Sequence, residues 1–265
     1  MDVSVAQMQQ IAQDLIDKVE ELSGLPDKIL DNFTSAANSA IVRFVLRNGD
    51  EIIELGTKFA NAVKELWNDF IEALKGLAAP GFFISTSHDW TSFAAKANRM
   101  AGELEDTAVK VDSYWQGSAA SAYGTAITPQ RVAMARIGTI ANAARSSMIT
   151  IGTAGIAFYA SLLGIGVALV IEATMEALAA GTGIGAIPAG VAGLLTAAKF
   201  AALVTAAITG MVTIINSELT QAQALQVELD NPQGFPSGHW PTTGAAGFSD
   251  ATVKDGDADW SVKTS

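Results

Sequence analysis

From Ser146 to Ile171 the chain carries no charged residue, and the span Ile149 to Ile171 is long enough, as a helix, to cross about 30 Å of hydrocarbon. The Gly181-Thr-Gly183-Ile-Gly185-Ala-Ile-Pro188-Ala-Gly190 cluster follows, and then a return segment from Val191 to about Leu229 that is apolar through Ile215 apart from Lys199. Apolar, Gly/Pro and apolar again reads as a helical hairpin. A helix that is apolar all round must be buried somewhere, so this hairpin is a core pair, a membrane-inserted pair or an oligomer interface. Lys199 weighs against a simple two-span membrane protein, because a charge in lipid is expensive unless it snorkels or pairs. Glu172 and Glu176 lie one turn apart and could reach Lys199 across the hairpin, forming a charge cluster that satisfies the interior. Ala192, Thr196, Ala206 and Gly210 are small enough to let the two helices approach closely.

Helical periodicity also fills the chain before the hairpin. Val5, Met8, Ala12, Leu15, Val19 and Leu22 step by three and four, and Gly24-Leu25-Pro26 ends that helix. A second helix from Asp27 to about Arg47 is predicted to turn Leu30, Phe33, Ala37, Ile41 and Phe44 inward. A third carries Ile52, Phe59, Val63, Leu66, Phe70 and Leu77 up to Ala79-Pro80-Gly81. Residues 82–89 read as a connecting loop, with a helix starting near Trp90. That helix turns Phe93, Ala97, Met100, Leu104, Ala108 and Val111 to one face, and a later series places Met134, Ile137, Ala141, Ala144 and Met148 on another. Thr128-Pro129 predicts a kink in it. Between the two series stands Tyr114-Trp115-Gln116-Gly117-Ser118. Gly117 can take the positive φ that ends a helix, and Trp115 is large enough to wedge two helices at the base of a hairpin.

The pattern Trp115, Gly117, Ala119, Ala120 and Tyr123 resembles the WXG (Trp-x-Gly) family of type VII (ESX) secretion substrates, in particular its larger actinobacterial members. There a Trp-x-Gly-x-Ala-Ala-x-x-Tyr/Phe pattern precedes apolar helices. The resemblance covers about residues 88–148 well and the apolar hairpin loosely. It implies a helical hairpin, export without a cleaved signal and pairing with another helical hairpin, as a homo-oligomer or a heterodimer with a small Trp-x-Gly protein. One departure matters. The family's Tyr-x-x-x-Asp/Glu export segment is missing, since no acid lies four residues after Tyr114, Tyr123 or Tyr159, so export would depend on a partner that carries it.

Several function classes find little support. A net charge of −11 repels nucleic acid and disfavours peripheral binding to anionic lipid. With no Cys there is neither a disulfide framework nor a thiolate nucleophile. His88 and His239 have no metal-ligand spacing, and no serine-nucleophile or phosphate-loop motif occurs. Gly181-x-Gly183-x-Gly185 follows a helix-forming segment where a dinucleotide loop needs a strand. Asp255-Gly-Asp257-Ala-Asp259 starts like a calcium loop but lacks its closing Glu. No catalytic residue, cofactor or metal is therefore expected.

The sequence predicts an all-α protein of elongated antiparallel helical hairpins, in four parts: N-terminal amphipathic helices over residues 1–80, a Trp-x-Gly hairpin over 88–148, an apolar hairpin over 149–230, and a disordered, acidic C-terminal tail over 231–265. The expected function is that of a secreted type VII secretion-associated protein acting by helix-helix assembly, with membrane contact open. Its start lacks the basic and apolar regions of a general secretory signal, so it would be cytoplasmic before export and secreted or envelope-associated afterwards. The alternatives are a membrane-inserting α-helical pore former and an oligomeric filament subunit.

Overall fold

The structure is a computed structural model, and it describes residues 5–105, 118–230, 234–241, 248–249 and 261–262. The fold is all-α. Six α-helices follow one another among the described residues: α1 Val5–Ser23, α2 Leu25–Ala37, α3 Gly49–Leu74, α4 Ala79–Glu103, α5 Ser118–Ala180 and α6 Ala186–Asp230. A π-helical turn, Val42–Leu46, stands between α2 and α3. The remaining regular structure is a 3-10 turn at Pro236–Gly238 and a two-residue antiparallel pairing of Phe248 with Val262 and Ser249 with Ser261.

Two compact units divide the chain: Met1–Phe83 with Ile151–Asn216, and Ile84–Thr150 with Ser217–Ser265. The first joins the N-terminal helices to the apolar hairpin, segments that the sequence reading kept apart. Its core is aromatic and aliphatic. Leu15, Leu22, Ile29, Phe33, Ile52, Phe59 and Phe70 are fully buried from α1 to α3, and Leu162, Leu169 and Phe200 are buried from the hairpin. These positions lie at helical spacing, which is why three short amphipathic helices can present one continuous apolar face. Pro26 starts α2, where a missing amide proton costs nothing. The Trp67 indole N–H donates to the Val19 carbonyl at 3.1 Å, tying α3 to α1.

The second unit packs on alanine. Ala94, Ala97 and Ala101 of α4 are buried, as are Ala133 and Ala141 of α5. The Asn98 side chain of α4 lies against bare backbone of α5, where a Cβ on Gly138 would lie 2.1 Å from its Oδ1. Residues 234–241 pack on α5 as well: a Cβ on Gly234 would lie 3.1 Å from the Ala133 Cα, and the Gln130 side chain donates to the Pro241 carbonyl at 2.9 Å. Phe235 and Trp240 meet edge to face, with ring centroids 6.0 Å apart. This part of the expected tail is folded against α5.

Three further expectations are corrected. Residues 82–89, read as a loop, are helical within α4. Phe93 and Met100 are 49% and 43% exposed, because the buried face of α4 runs one residue further round, along its alanines. Ile41 and Phe44 face outward too, Phe44 at 75% exposure, because α2 stops at Ala37 and the π-turn after it resets the helical phase. Pro129 lies inside α5, which is assigned as one helix from Ser118 to Ala180.

Candidate functional site

Of the residues singled out as a turn and assembly motif, Trp115 and Gly117 lie outside the described residues. Ala119 and Ala120 belong to the first turn of α5, and Tyr123 follows within the same helix, half-buried. The charge cluster is fully described. Lys199 on α6 donates to both Glu172 oxygens on α5, at 2.6 and 2.7 Å, and also lies 4.5 Å from the Phe200 ring centre. Glu176 does not join that pair. Its Oε1 accepts from the Thr196 hydroxyl at 3.1 Å instead, one turn nearer the hairpin tip. Burial raises the Glu176 pKa, the Thr196 hydrogen bond opposes the rise, and the neighbouring Glu172 charge adds to it.

These polar links fasten two helices whose inner and outer faces differ. The inner face is clad by the N-terminal helices through glycine. A Cβ on Gly193 would stand 2.6 Å from the Phe59 ring, and one on Gly190 would stand 2.9 Å from the Leu55 Cβ and 3.1 Å from the Phe33 ring. Such distances leave no room for a side chain, so the rings of α2 and α3 rest on bare backbone. Among the described residues nothing covers the outer face of α6. Ile208, Val212 and Ile215, which share one side of the helix, are 42 to 47% exposed, and only 28% of the most apolar stretch of this helix is buried, against 44% for α5. Both helices are long and apolar enough to cross a membrane by length and composition.

On α6 the hydroxyls of Thr205, Thr209 and Thr213 each donate to the carbonyl four residues back, all at 2.8 Å. A Thr that bonds its own helix needs no water, and such a surface tolerates apolar surroundings. Near the α3–α4 turn, a cavity of about 300 Å³ is lined by Pro80, Phe83, Phe158, Tyr159, Met211 and Ile215, among others. Its one hydroxyl, on Tyr159, donates to the Ala73 carbonyl at 3.0 Å, and burial raises that phenol's pKa. No group of three or more metal-ligating side chains gathers among the described residues.

Sequence reasoning missed the polar seam of the second unit. Arg136 bridges Glu228 at 2.5 Å, and the Arg145 Nε–H donates to the Thr91 hydroxyl at 2.8 Å. Glu218 is buried at 6% exposure, with Oε1 accepting from Gln221 and Oε2 unpartnered among the described residues. Charges ten or more residues apart on long helices give no local signal of meeting, so only the fold reveals them. No family model, no curated protein and no solved structure matches this chain.

Proposed function

We propose that this chain is a type VII secretion-associated helical protein that works by helix-helix assembly, docking a second helical chain along the outer face of α6. The observation that carries the docking is that uncovered face, apolar and with its threonine hydroxyls satisfied internally. Ile208, Val212 and Ile215, spaced four and three residues apart on one side of the helix, supply the buried area, and the small residues Ala201 and Thr205 beside them favour close backbone approach. The partner is a second copy or a small Trp-x-Gly protein. The assignment to type VII export rests on Trp115, Gly117, Ala119, Ala120 and Tyr123 in the sequence. Insertion of the hairpin into a membrane is the weaker reading, because it would strip Phe33 and Phe59 from the glycines they cover and strand the Lys199–Glu172 pair.

Expression in a strain with an active type VII apparatus and a partner gene tests the export half. The full chain is expected in the culture supernatant, uncleaved, and Trp115→Ala is expected to hold it in the cell. Retention of the unaltered chain in the cytosol of that strain would remove the secretion reading.

A further inference from the structure

Ile41, Phe44, Val45 and Leu46, 44 to 75% exposed, crowd onto the single π-helical turn between α2 and α3. The turn cannot fold them inward. Its backbone is closed by its own hydrogen bonds, Arg43 N–H to Ser39 O at 3.0 Å and Arg47 N–H to Val42 O at 2.6 Å, and Val42 alone is buried. Arg47 closes it in the left-handed region at φ 55°, a conformation costly for a residue other than glycine. The α5–α6 turn lies beside it: a Cβ on Gly183 would come within 3.0 Å of Ser39 Oγ and 3.7 Å of Val42 Cγ2. That neighbouring turn adds Ile184, 70% exposed. One end of the first compact unit thus displays five large apolar side chains from two adjoining turns.

Charge sets this end apart. The chain carries 27 acidic residues, yet residues 38–49 contain two arginines and no acid, and residues 177–198 contain no charge at all. Arg43 and Arg47 are the only arginines of that unit, both are exposed, and neither has an ion pair among the described residues. The nearest acids in sequence, Asp50 and Glu51, sit in the first turn of α3, where the positive end of that helix holds them.

We infer that this end is an interfacial anchor that seats Phe44, Val45 and Ile184 at the acyl boundary of a bilayer bearing anionic headgroups, with Arg43 and Arg47 reaching back to the phosphates. Long cations rimming exposed apolar side chains suit that boundary. Five apolar side chains and two arginines fall short of the roughly 20–30 residues a side of a standard protein interface. A bilayer sets no such minimum. Repulsion from the chain's overall negative charge is screened beyond about 8 Å at physiological salt, so the two arginines govern the contact locally.

The chain has no cysteine, so Val45→Cys, Ile184→Cys and, as a control on α3, Lys58→Cys each accept one environment-sensitive nitrobenzoxadiazole label. The labelled full-length chains are mixed with phosphatidylcholine vesicles, with or without roughly one part in three phosphatidylglycerol. Emission from positions 45 and 184 is expected to shift to the blue on the anionic vesicles, while position 58 stays unchanged. Arg43→Gln with Arg47→Gln is expected to weaken partitioning about thirtyfold, and added salt to weaken it in the unaltered chain. Phe44→Ser, at a side chain outside the core, is expected to weaken it about tenfold with an unchanged melting curve. Three results would overturn the inference: no shift at 45 or 184 on any vesicle, an equal shift at 58, or a shift without vesicles that grows with protein concentration and marks a protein contact instead.

Discussion

The two faces of the α5–α6 hairpin are made of similar residues and have opposite fates. On the inner face, glycines at 190 and 193 expose backbone, and Phe33 and Phe59 cover it to 1% exposure or less. On the outer side of α6, Ile208, Val212 and Ile215 project uncovered by any described residue, and on the same helix a Cβ at glycine 210 would meet nothing within 4 Å. The inner face shows what a covered helix surface needs, which is small residues opposite large rings. The outer face has small residues and large aliphatics on the same helix, and no ring from the described residues stands opposite them.

Substitutions can break this contrast from the inside first. Phe59→Ala removes a ring that seals backbone and is expected to cost about 3–5 kcal/mol in urea unfolding, the usual penalty for an aromatic cavity that cannot collapse. Gly193→Val drives a side chain into that ring and is expected to cost about 1–3 kcal/mol by overpacking. An inner face that accepted both with no loss would not be the packed side of the hairpin.

From the outside the expected stability effects are smaller. Lys199→Met leaves Glu172 without its partner, yet the pair is half-exposed, so a loss of no more than about 1 kcal/mol is expected. Ile208→Ser with Val212→Ser is expected to change stability by no more than about 0.5 kcal/mol per site, since neither side chain is in the core. Glu176 gives the finest probe. Its pKa is raised in the fold, so the folded state holds the proton more tightly than the unfolded chain. Its stabilising contribution is therefore complete below the ordinary carboxyl range and is lost as pH rises through the raised value. Glu176→Gln is expected to flatten that part of the melting-temperature profile against pH. An unchanged profile would assign the slope to other groups.

Much of this architecture is legible in the residues. The spacing of Leu15, Val19 and Leu22 and of Ile52, Phe59, Val63, Leu66 and Phe70 places the buried faces of α1 and α3, and the hairpin tip falls at its Gly/Pro cluster. The Lys199–Glu172 pair is readable too, because hairpin geometry brings matching positions together. What escapes is phase and long-range closure. Phe44 continues the period of α2, but the helix ends seven residues before it, and periodicity does not announce that stop. Phe93 and Met100 look like core until the close Asn98–Gly138 approach selects alanine instead. Gly234 and Pro241 sit in a polar composition that conceals their contact with α5. The Trp115–Gly117 turn lies outside the described residues, so its part in the hairpin rests on sequence.

The mass of the purified full chain, measured by light scattering over a concentration series, alone and co-expressed with a small Trp-x-Gly protein, tests the docking face most directly. The account predicts a mass that rises above the 27.5 kDa of one chain in at least one of the two samples, and a return to 27.5 kDa in Ile208→Asp with Val212→Asp while the unfolding curve is kept. A mass fixed at one chain in both samples, or assembly that the double substitution leaves untouched, would contradict it.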